Sequence, residues 1–287
     1  MDNLIFELRK MCERNRDGGH STRANRLRIL TQIANELRDM GYRHLYPTSL
    51  KGKHVDALLN SWQAKNLSVG TMKNRLCALR WWTEKVGKMG LIPADNAQLG
   101  IPERKFLTNE NKARELGDKV SKVSDEYVQV SLRLQQAFGL RREEAIKFTP
   151  TYADRGDCIV LKGSWTKGGR ERSIPITQPA QRALLEQAHA LTGTGSLIPA
   201  HKTYVEQLRL YEGQCKTAGL SGMHGLRHAY AQSRYETLTG WKAPAAGGPA
   251  SQAFDEFQRA RDELARQIVS RELGHERVQI TNVYLGK

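Results

Sequence analysis

The chain has 287 residues, room for about two domains, and carries 45 Lys plus Arg against 30 Asp plus Glu, a net charge of +15. No run of eighteen apolar residues occurs, which argues against a membrane-embedded protein, and the charged N-terminus does not read as a secretory signal. Four scattered cysteines, Cys12, Cys77, Cys158 and Cys215, form no C-x-x-C pair, so a disulfide framework or structural zinc is not expected and a reducing, cytoplasmic compartment is.

The first hundred residues predict helices only. Ser21 is a candidate cap for a helix running to about Met40, with Leu27, Leu30, Ile33 and Leu37 as its apolar stripe and Gly41 as its stop. A second helix fits Leu50 to Lys65 through Val55, Leu58, Leu59 and Trp62. A third, from Ser68 to about Gly87, turns Met72, Leu76, Leu79 and Trp82 inward. Its other face carries Lys73, Arg75 and Arg80, and the first helix repeats the bias with Arg23 and Arg26. A face charged with one sign is what phosphate neutralisation requires, so these five are the candidate nucleic-acid contacts.

The periodicity dissolves after Leu99, and we take 107–123 as a linker between a helical domain at 1–106 and a second domain at 124–287. That domain predicts a helix from Ser124 to Phe138 and a further amphipathic stretch to Phe148. Two short β-rich runs follow, DCIVLKGSW and RERSIPIT, with Gly168-Gly169 suited to a tight hairpin turn between them. Helices resume over Pro179–Thr192, Thr203–Ala218 and Ser251–Leu273, the last with Phe254, Phe257, Leu264 and Ile268 on one side. The expected fold is mainly α with a small antiparallel sheet: an all-helical domain plus an α+β domain.

Several chemistries are absent from the pattern. There is no phosphate-loop motif, no dinucleotide fingerprint around Gly193-Thr194-Gly195, and no H-E-x-x-H. His224 and His228 stand four apart, but Arg227 between them would repel a cation, so no metal is expected. What remains in the second domain is Arg141, Lys167, His224, Arg227, His275 and Tyr284. Singly, each has an ordinary structural use: Arg141 pairing with Glu144, Lys167 solvated on a turn, His275 closing a helix. Together they can move a phosphoryl group without metal. Two guanidiniums clamp the non-bridging oxygens, a tyrosine attacks, an ammonium protonates the leaving oxygen and imidazoles shuttle protons.

The local wording resembles the tyrosine recombinase (phage-type integrase) family. GLRREE is similar to its first-arginine box, TKGGRERSIPI to its β-hairpin lysine segment, HGLRHAYA to its H-x-x-R box, and LGHERVQITNVY to its L-G-H box with the following tyrosine. The resemblance implies Arg141 and Arg227 as phosphate clamps, Lys167 as general acid, His224 and His275 as the imidazole positions and Tyr284 as nucleophile. It implies a site-specific recombinase that cuts through a 3′-phosphotyrosyl bond without cofactor or metal, its two domains clamped on duplex DNA recombination sites. It further implies a homotetramer on DNA built from a free monomer, with an accessory DNA-bending protein as a possible partner. A type IB topoisomerase-like relaxing enzyme and a non-catalytic DNA-binding regulator are the alternatives.

Two features depart from the family. Arg227 and His275 are further apart than usual, the extra length lying around 235–262, and only Leu285, Gly286 and Lys287 follow Tyr284. With no usual tail to reach a neighbouring protomer, the insert, with Trp241, Phe254, Phe257 and the Gly247-Gly248 strap, is a candidate for that contact. Its alternative is packing against its own domain.

Overall fold

The computed structural model describes residues 3–287. The chain divides into two compact units, Met1–Lys105 and Phe106–Lys287. The first is helical: α1 (Asn3–Arg14), α2 (His20–Asp39), α3 (Gly52–Ala64) and α4 (Val69–Lys85). The sequence reading had not singled out α1, whose Leu4 and Leu8 enter the core. Leu30, Ile33 and Leu37 of α2 meet Val55, Leu58 and Trp62 of α3 and Leu76, Leu79 and Trp82 of α4 there, all buried at helical spacing. Helix α4 starts where Ser68 accepts the Thr71 N–H at 3.2 Å. Ser21, by contrast, lies inside α2, which begins at His20.

The outward basic face differs from the expectation. Arg75 is buried, donating to both oxygens of Glu36 at 3.0 and 3.1 Å, while Trp62 Nε1 donates to the same carboxylate at 2.7 Å. A carboxylate held against a tryptophan needs such partners, and Arg75 is the cation that supplies them. Arg80 is turned onto its own loop, donating to the Pro93 carbonyl at 3.0 and 2.6 Å and to Asn96 Oδ1 at 2.9 Å. Arg23 reaches His20 Nδ1 at 3.0 Å, and Arg26 lies over the Trp81 ring at 4.3 Å. Lys73 makes no hydrogen bond or ion pair among the described residues.

The second unit packs α5 (Glu126–Phe138), α6 (Arg142–Ile146), α7 (Pro150–Ala153), α8 (Pro179–Thr192), α9 (Tyr204–Thr217), α10 (His224–Thr239), α11 (Glu256–Leu273) and α12 (Asn282–Leu285) around a two-stranded antiparallel sheet. Strand β1 (Cys158–Leu161) pairs with β2 (Arg172–Pro175) in the register Leu161 to Arg172 and Cys158 to Pro175. The paired ladder stops at Leu161 and Arg172, and residues 162–171 form a longer loop with a helical turn at Gly163–Trp165, where Trp165 folds back into the core, and a tight turn at its tip closed by the Gly169 N–H donating to the Thr166 carbonyl at 3.2 Å. Phe138, Phe148, Ile159, Ile174, Leu185 and Val269 centre that core. Residues 107–123, read above as linker, lie against this unit: Arg114 donates its N–H to the Gly225 carbonyl at 3.0 Å, and Leu116 and Val123 are buried.

Two expectations near the C-terminus are corrected. Helix α11 begins at Glu256 rather than Ser251, since Asp255 caps it by accepting the Gln258 N–H at 2.7 Å. Its buried face is not the apolar stripe: Phe257 is 76% and Leu264 58% exposed, while Asp262, Ala265, Arg266, Val269 and Leu273 face inward. The insert packs on its own unit, with Phe254 buried and its ring 5.2 Å from Trp241, and Ala243 fully covered. Trp241 and Phe254 are therefore packed against each other within the unit, whereas Phe257 stands exposed.

Candidate active site

Gly139 ends α5 in the left-handed region (φ 62°) and presses against the Tyr230 ring, where a Cβ would stand 2.5 Å from ring carbon, so the turn into Arg141 admits only glycine. Arg141 then serves as N-cap of α6. Its backbone N–H donates to Glu144 Oε2 at 2.7 Å and its guanidinium to Glu144 Oε1 at 2.8 Å. Arg172, from β2, closes on the same carboxylate from the other side at 2.9 and 2.6 Å. Burial alone would raise the Glu144 carboxyl, but the Arg172 hydrogen bond and the charges of Arg172 and Arg141 hold it at about 2. Glu144 is therefore the ionised, fully buried post on which Arg141 is fixed.

Arg227, one turn into α10, is almost fully buried. Its Nη1 donates to the Gly139 carbonyl at 2.5 Å and its Nη2 to the Leu273 carbonyl, tying the α5 turn to the end of α11. Its Nε–H has no partner among the described residues. Burial and then the like charge of Arg141 lower it to about 10, so it remains a cation at neutral pH. Just beyond Leu273, Gly274 (φ 65°) has Arg172 against it; a Cβ there would lie 2.8 Å from Arg172 Cδ. The chain can thus turn back and present His275, whose Nδ1 is 3.0 Å from Thr281 Oγ1.

Tyr284 lies on α12, buried among three imidazoles. Its hydroxyl is 3.2 Å from His224 Nε2, and its ring is 5.2 Å from His275, stacked, and 4.4 Å from His228. The Arg227 guanidinium carbon is 5.9 Å from the same ring. All three histidines are pushed toward the neutral form, first by burial. Arg227 and Arg141 add to this for His224 and for His275, which falls to about 3, and His224 adds to it for His228, which falls to about 4. A neutral His224 can accept the tyrosine proton.

Five of the six expected catalytic residues, Arg141, His224, Arg227, His275 and Tyr284, thus share one cluster of contacts and charges. Lys167 does not join it: it is exposed on the 162–171 loop, with no hydrogen bond or ion pair among the described residues. The sequence reading did not single out Arg172, nor Glu272, which accepts Tyr230 O–H at 2.7 Å and Arg234 Nε at 3.0 Å beside the L-G-H turn. It weighed His228 only as a metal ligand. Among the described residues no three of His, Cys, Asp and Glu come together as a metal-binding group, and no helix is long and apolar enough to cross a membrane.

A family profile described as the N-terminal domain of phage integrases matches residues 1–92, and one described as integrase matches residues 107–233. No curated protein matches the chain in sequence. Among solved structures, the XerH site-specific recombinase bound to its palindromic difH substrate is similar at TM-score 0.60 and 17% identity, over 99% of this chain and 81% of that one. The lambda integrase (75–356) dimer on a COC′ core site is similar at TM-score 0.61 and 14% identity, over 98% and 93%. The Tn1549 transposon integrase (82–397) with circular intermediate DNA gives 0.57 and 13%, over 100% and 96%. At such identities the structures establish the fold, and the two profiles, which together span most of the chain, establish its kind: the chain belongs to the integrase family.

Proposed function

We propose that the chain is a site-specific DNA recombinase of the integrase type, cutting and rejoining strands through Tyr284. The observation that carries this reading is the Tyr284 hydroxyl 3.2 Å from a neutral His224, in a cluster that also holds buried, charged Arg227. A scissile phosphate bound by Arg141 and Arg227 gives the orphan Nε–H of Arg227 an acceptor. The Tyr284 oxygen bonds to phosphorus as the bond to the 5′-oxygen breaks. The tyrosine proton passes to His224, and the 5′-oxygen takes a proton from Lys167 on its exposed loop. The 3′-phosphotyrosyl bond conserves the energy of the broken linkage, so attack by a 5′-hydroxyl from a second strand reverses the step and joins new partners.

The substrate is duplex DNA carrying recombination sites, with Arg23, Arg26 and Lys73 as the outward cations of the first unit, and strand exchange takes place in a homotetramer. The test is covalent capture on a nicked suicide duplex. The parent chain forms a phosphotyrosyl adduct that survives denaturing gels and persists in excess EDTA, since Arg141 and Arg227 supply the charge stabilisation. Tyr284→Phe binds the duplex equally well and forms none. Adduct formation by the Phe variant, or activity abolished by EDTA and restored by magnesium, would overturn this assignment. Relaxation of any supercoiled plasmid by monomer, with no joining of two sites, marks a topoisomerase instead.

A further inference from the structure

Tyr284 sits on a helix of four residues, too short to hold its own shape. What fixes it is therefore found in its neighbours. Gln232 Nε2 donates to the Tyr284 carbonyl at 3.1 Å. The larger grip comes from Arg266 of α11. Its Nη1 donates to Asn282 Oδ1 at 2.8 Å, at the start of α12, and to the Gly286 carbonyl at 2.9 Å, just past its end. One guanidinium nitrogen spans the whole turn that carries the nucleophile.

Arg266 is itself buried, and a buried cation persists only where an anion answers it. Asp262, one turn earlier and equally buried, accepts from Arg266 Nε through both oxygens at 2.9 and 3.0 Å. The other bonds of Asp262 come from the segment that departs from the family. Tyr235 donates its hydroxyl to Asp262 Oδ1, Ser251 Oγ lies 3.4 Å from Oδ2, and Trp241 Nε1 donates to the Tyr235 hydroxyl at 3.1 Å. The same segment floors the chain end: a Cβ on Gly286 would stand 2.7 Å from the Ala245 nitrogen. The inward stripe of α11 is polar because it is half of this assembly.

We infer that Arg266 is a positioning residue for Tyr284, and that the 235–262 insert is the brace which holds Arg266 in place through Asp262. The inference rests on Tyr284 being the nucleophile. Displacing an attacking atom by about 1 Å costs on the order of a hundredfold in rate. Arg266→Met keeps much of the side-chain length and removes the grip.

The experiment reads two quantities on Arg266→Met, Asn282→Ala and Tyr235→Phe: the single-turnover rate of suicide-duplex capture at saturating protein, and the ¹⁹F resonance of 3-fluorotyrosine placed at position 284. In Arg266→Met, capture slows on the order of a hundredfold at a DNA affinity within about twofold of the parent, and the fluorine line moves toward that of solvated fluorotyrosine. Asn282→Ala and Tyr235→Phe shift both readouts the same way by smaller amounts, and Arg266→Lys, which keeps the charge opposite Asp262, recovers part of the loss. A folded Arg266→Met chain with unchanged capture overturns the inference, as does slowed capture with an unmoved fluorine line, which would leave Arg266 a general structural residue. If Arg266→Met does not fold, Asn282→Ala, altering a half-buried side chain, decides on the same two readouts. If the parent captures no DNA, the recombinase reading fails, while the fluorine line, measured without DNA, still shows whether Arg266 fixes residue 284.

Discussion

The second unit holds the cations proposed for catalysis in two different ways. Arg227 is buried and donates to two main-chain carbonyls from different elements, and Arg141 is fixed on an ionised Glu144 that Arg172 also grips. Lys167 stands in solvent on a loop where Gly168 and Gly169 both adopt positive φ, and it touches none of the cluster. The difference suits the tasks proposed for them. A phosphate clamp works best when its dipoles and charges are oriented before substrate arrives, so the fold binds those groups into its own framework. A proton donor must reach an oxygen that exists only on the substrate, and a flexible stem on an exposed loop leaves that geometry for the substrate to complete.

The sharpest break in this comparison comes from exchanging one kind of cation for the other. Arg227→Lys keeps the charge but loses the fork that bridges the Gly139 and Leu273 carbonyls. Capture is expected to fall by roughly 10²–10³, in line with the loss of a preorganised charge-stabilising donor. Because two buried carbonyls lose their donors, unfolding stability falls as well, by about 1–3 kcal/mol, read from urea denaturation. A variant inactive yet fully stable would show that Arg227 is not a structural tie.

Lys167→Ala should show the opposite signature. Capture falls by roughly 10²–10⁴, the range of a general acid, while the urea midpoint does not move. A duplex with a 5′-bridging sulfur, whose leaving group needs no proton, restores most of the rate. No rescue would mean that Lys167 does something other than protonate the leaving oxygen.

What the sequence made legible follows the same division. Helices with a dense apolar stripe, such as Val55, Leu58 and Trp62 or Met72, Leu76 and Trp82, are readable because burial repeats at helical spacing. The boxes around Arg141, His224–Arg227 and His275–Tyr284 are readable because each is a run in which turn glycines and charged groups recur together. Arg172 was not, because its importance lies in reaching Glu144, 28 positions earlier, and no local pattern encodes that. Helix α11 misled for the converse reason: Phe257 and Leu264 obey the period yet face solvent, while the buried face is an Asp262–Arg266 pair whose partners are distant in sequence. The glycine pair marked a turn that is there, closed between Thr166 and Gly169, but not that the strand ladder ends at Leu161 and Arg172, because the helical turn that sends Trp165 into the core is not encoded in the glycines.

A smaller effect separates the buried cluster from the exposed loop by pH. His275 and His228 are neutral in the fold, held at about 3 and about 4, whereas the unfolded chain protonates them near the ordinary histidine value of 6.5. Depressed folded values mean that stability is full above about pH 6.5 and declines as pH falls from there toward 4 and then 3, with Glu144 adding a further loss from about 4.5 down to 2. Near pH 5 the chain therefore takes up protons on unfolding. In His275→Gln that uptake drops by about one proton, seen as a shallower fall of the urea midpoint between pH 6 and 5. An unchanged slope would show that His275 titrates normally and is not shielded in the cluster.

The smallest effect carries the comparison into the first unit, where four arginines and a lysine had seemed one basic face. Arg75 is buried on Glu36 and Arg80 is engaged by Pro93 and Asn96, so both belong with the framework cations, whereas Lys73, without a partner, belongs with Lys167. A free surface cation that neutralises a phosphate displaces a condensed counterion, and its loss flattens the slope of log affinity against log salt by about one unit. Lys73→Ala is therefore expected to flatten that slope by about one unit with no change in thermal stability. Arg75→Ala leaves Glu36 half-buried without its cation and should lower stability, while the slope stays within a few tenths of a unit of the parent's. Titrating a fixed duplex at several salt concentrations, beside a melting curve for each variant, distinguishes the two. If Arg75→Ala flattens the slope as Lys73→Ala does, then burial against Glu36 does not withdraw a cation from the DNA-facing charge, and the division between framework and free cations fails for this unit.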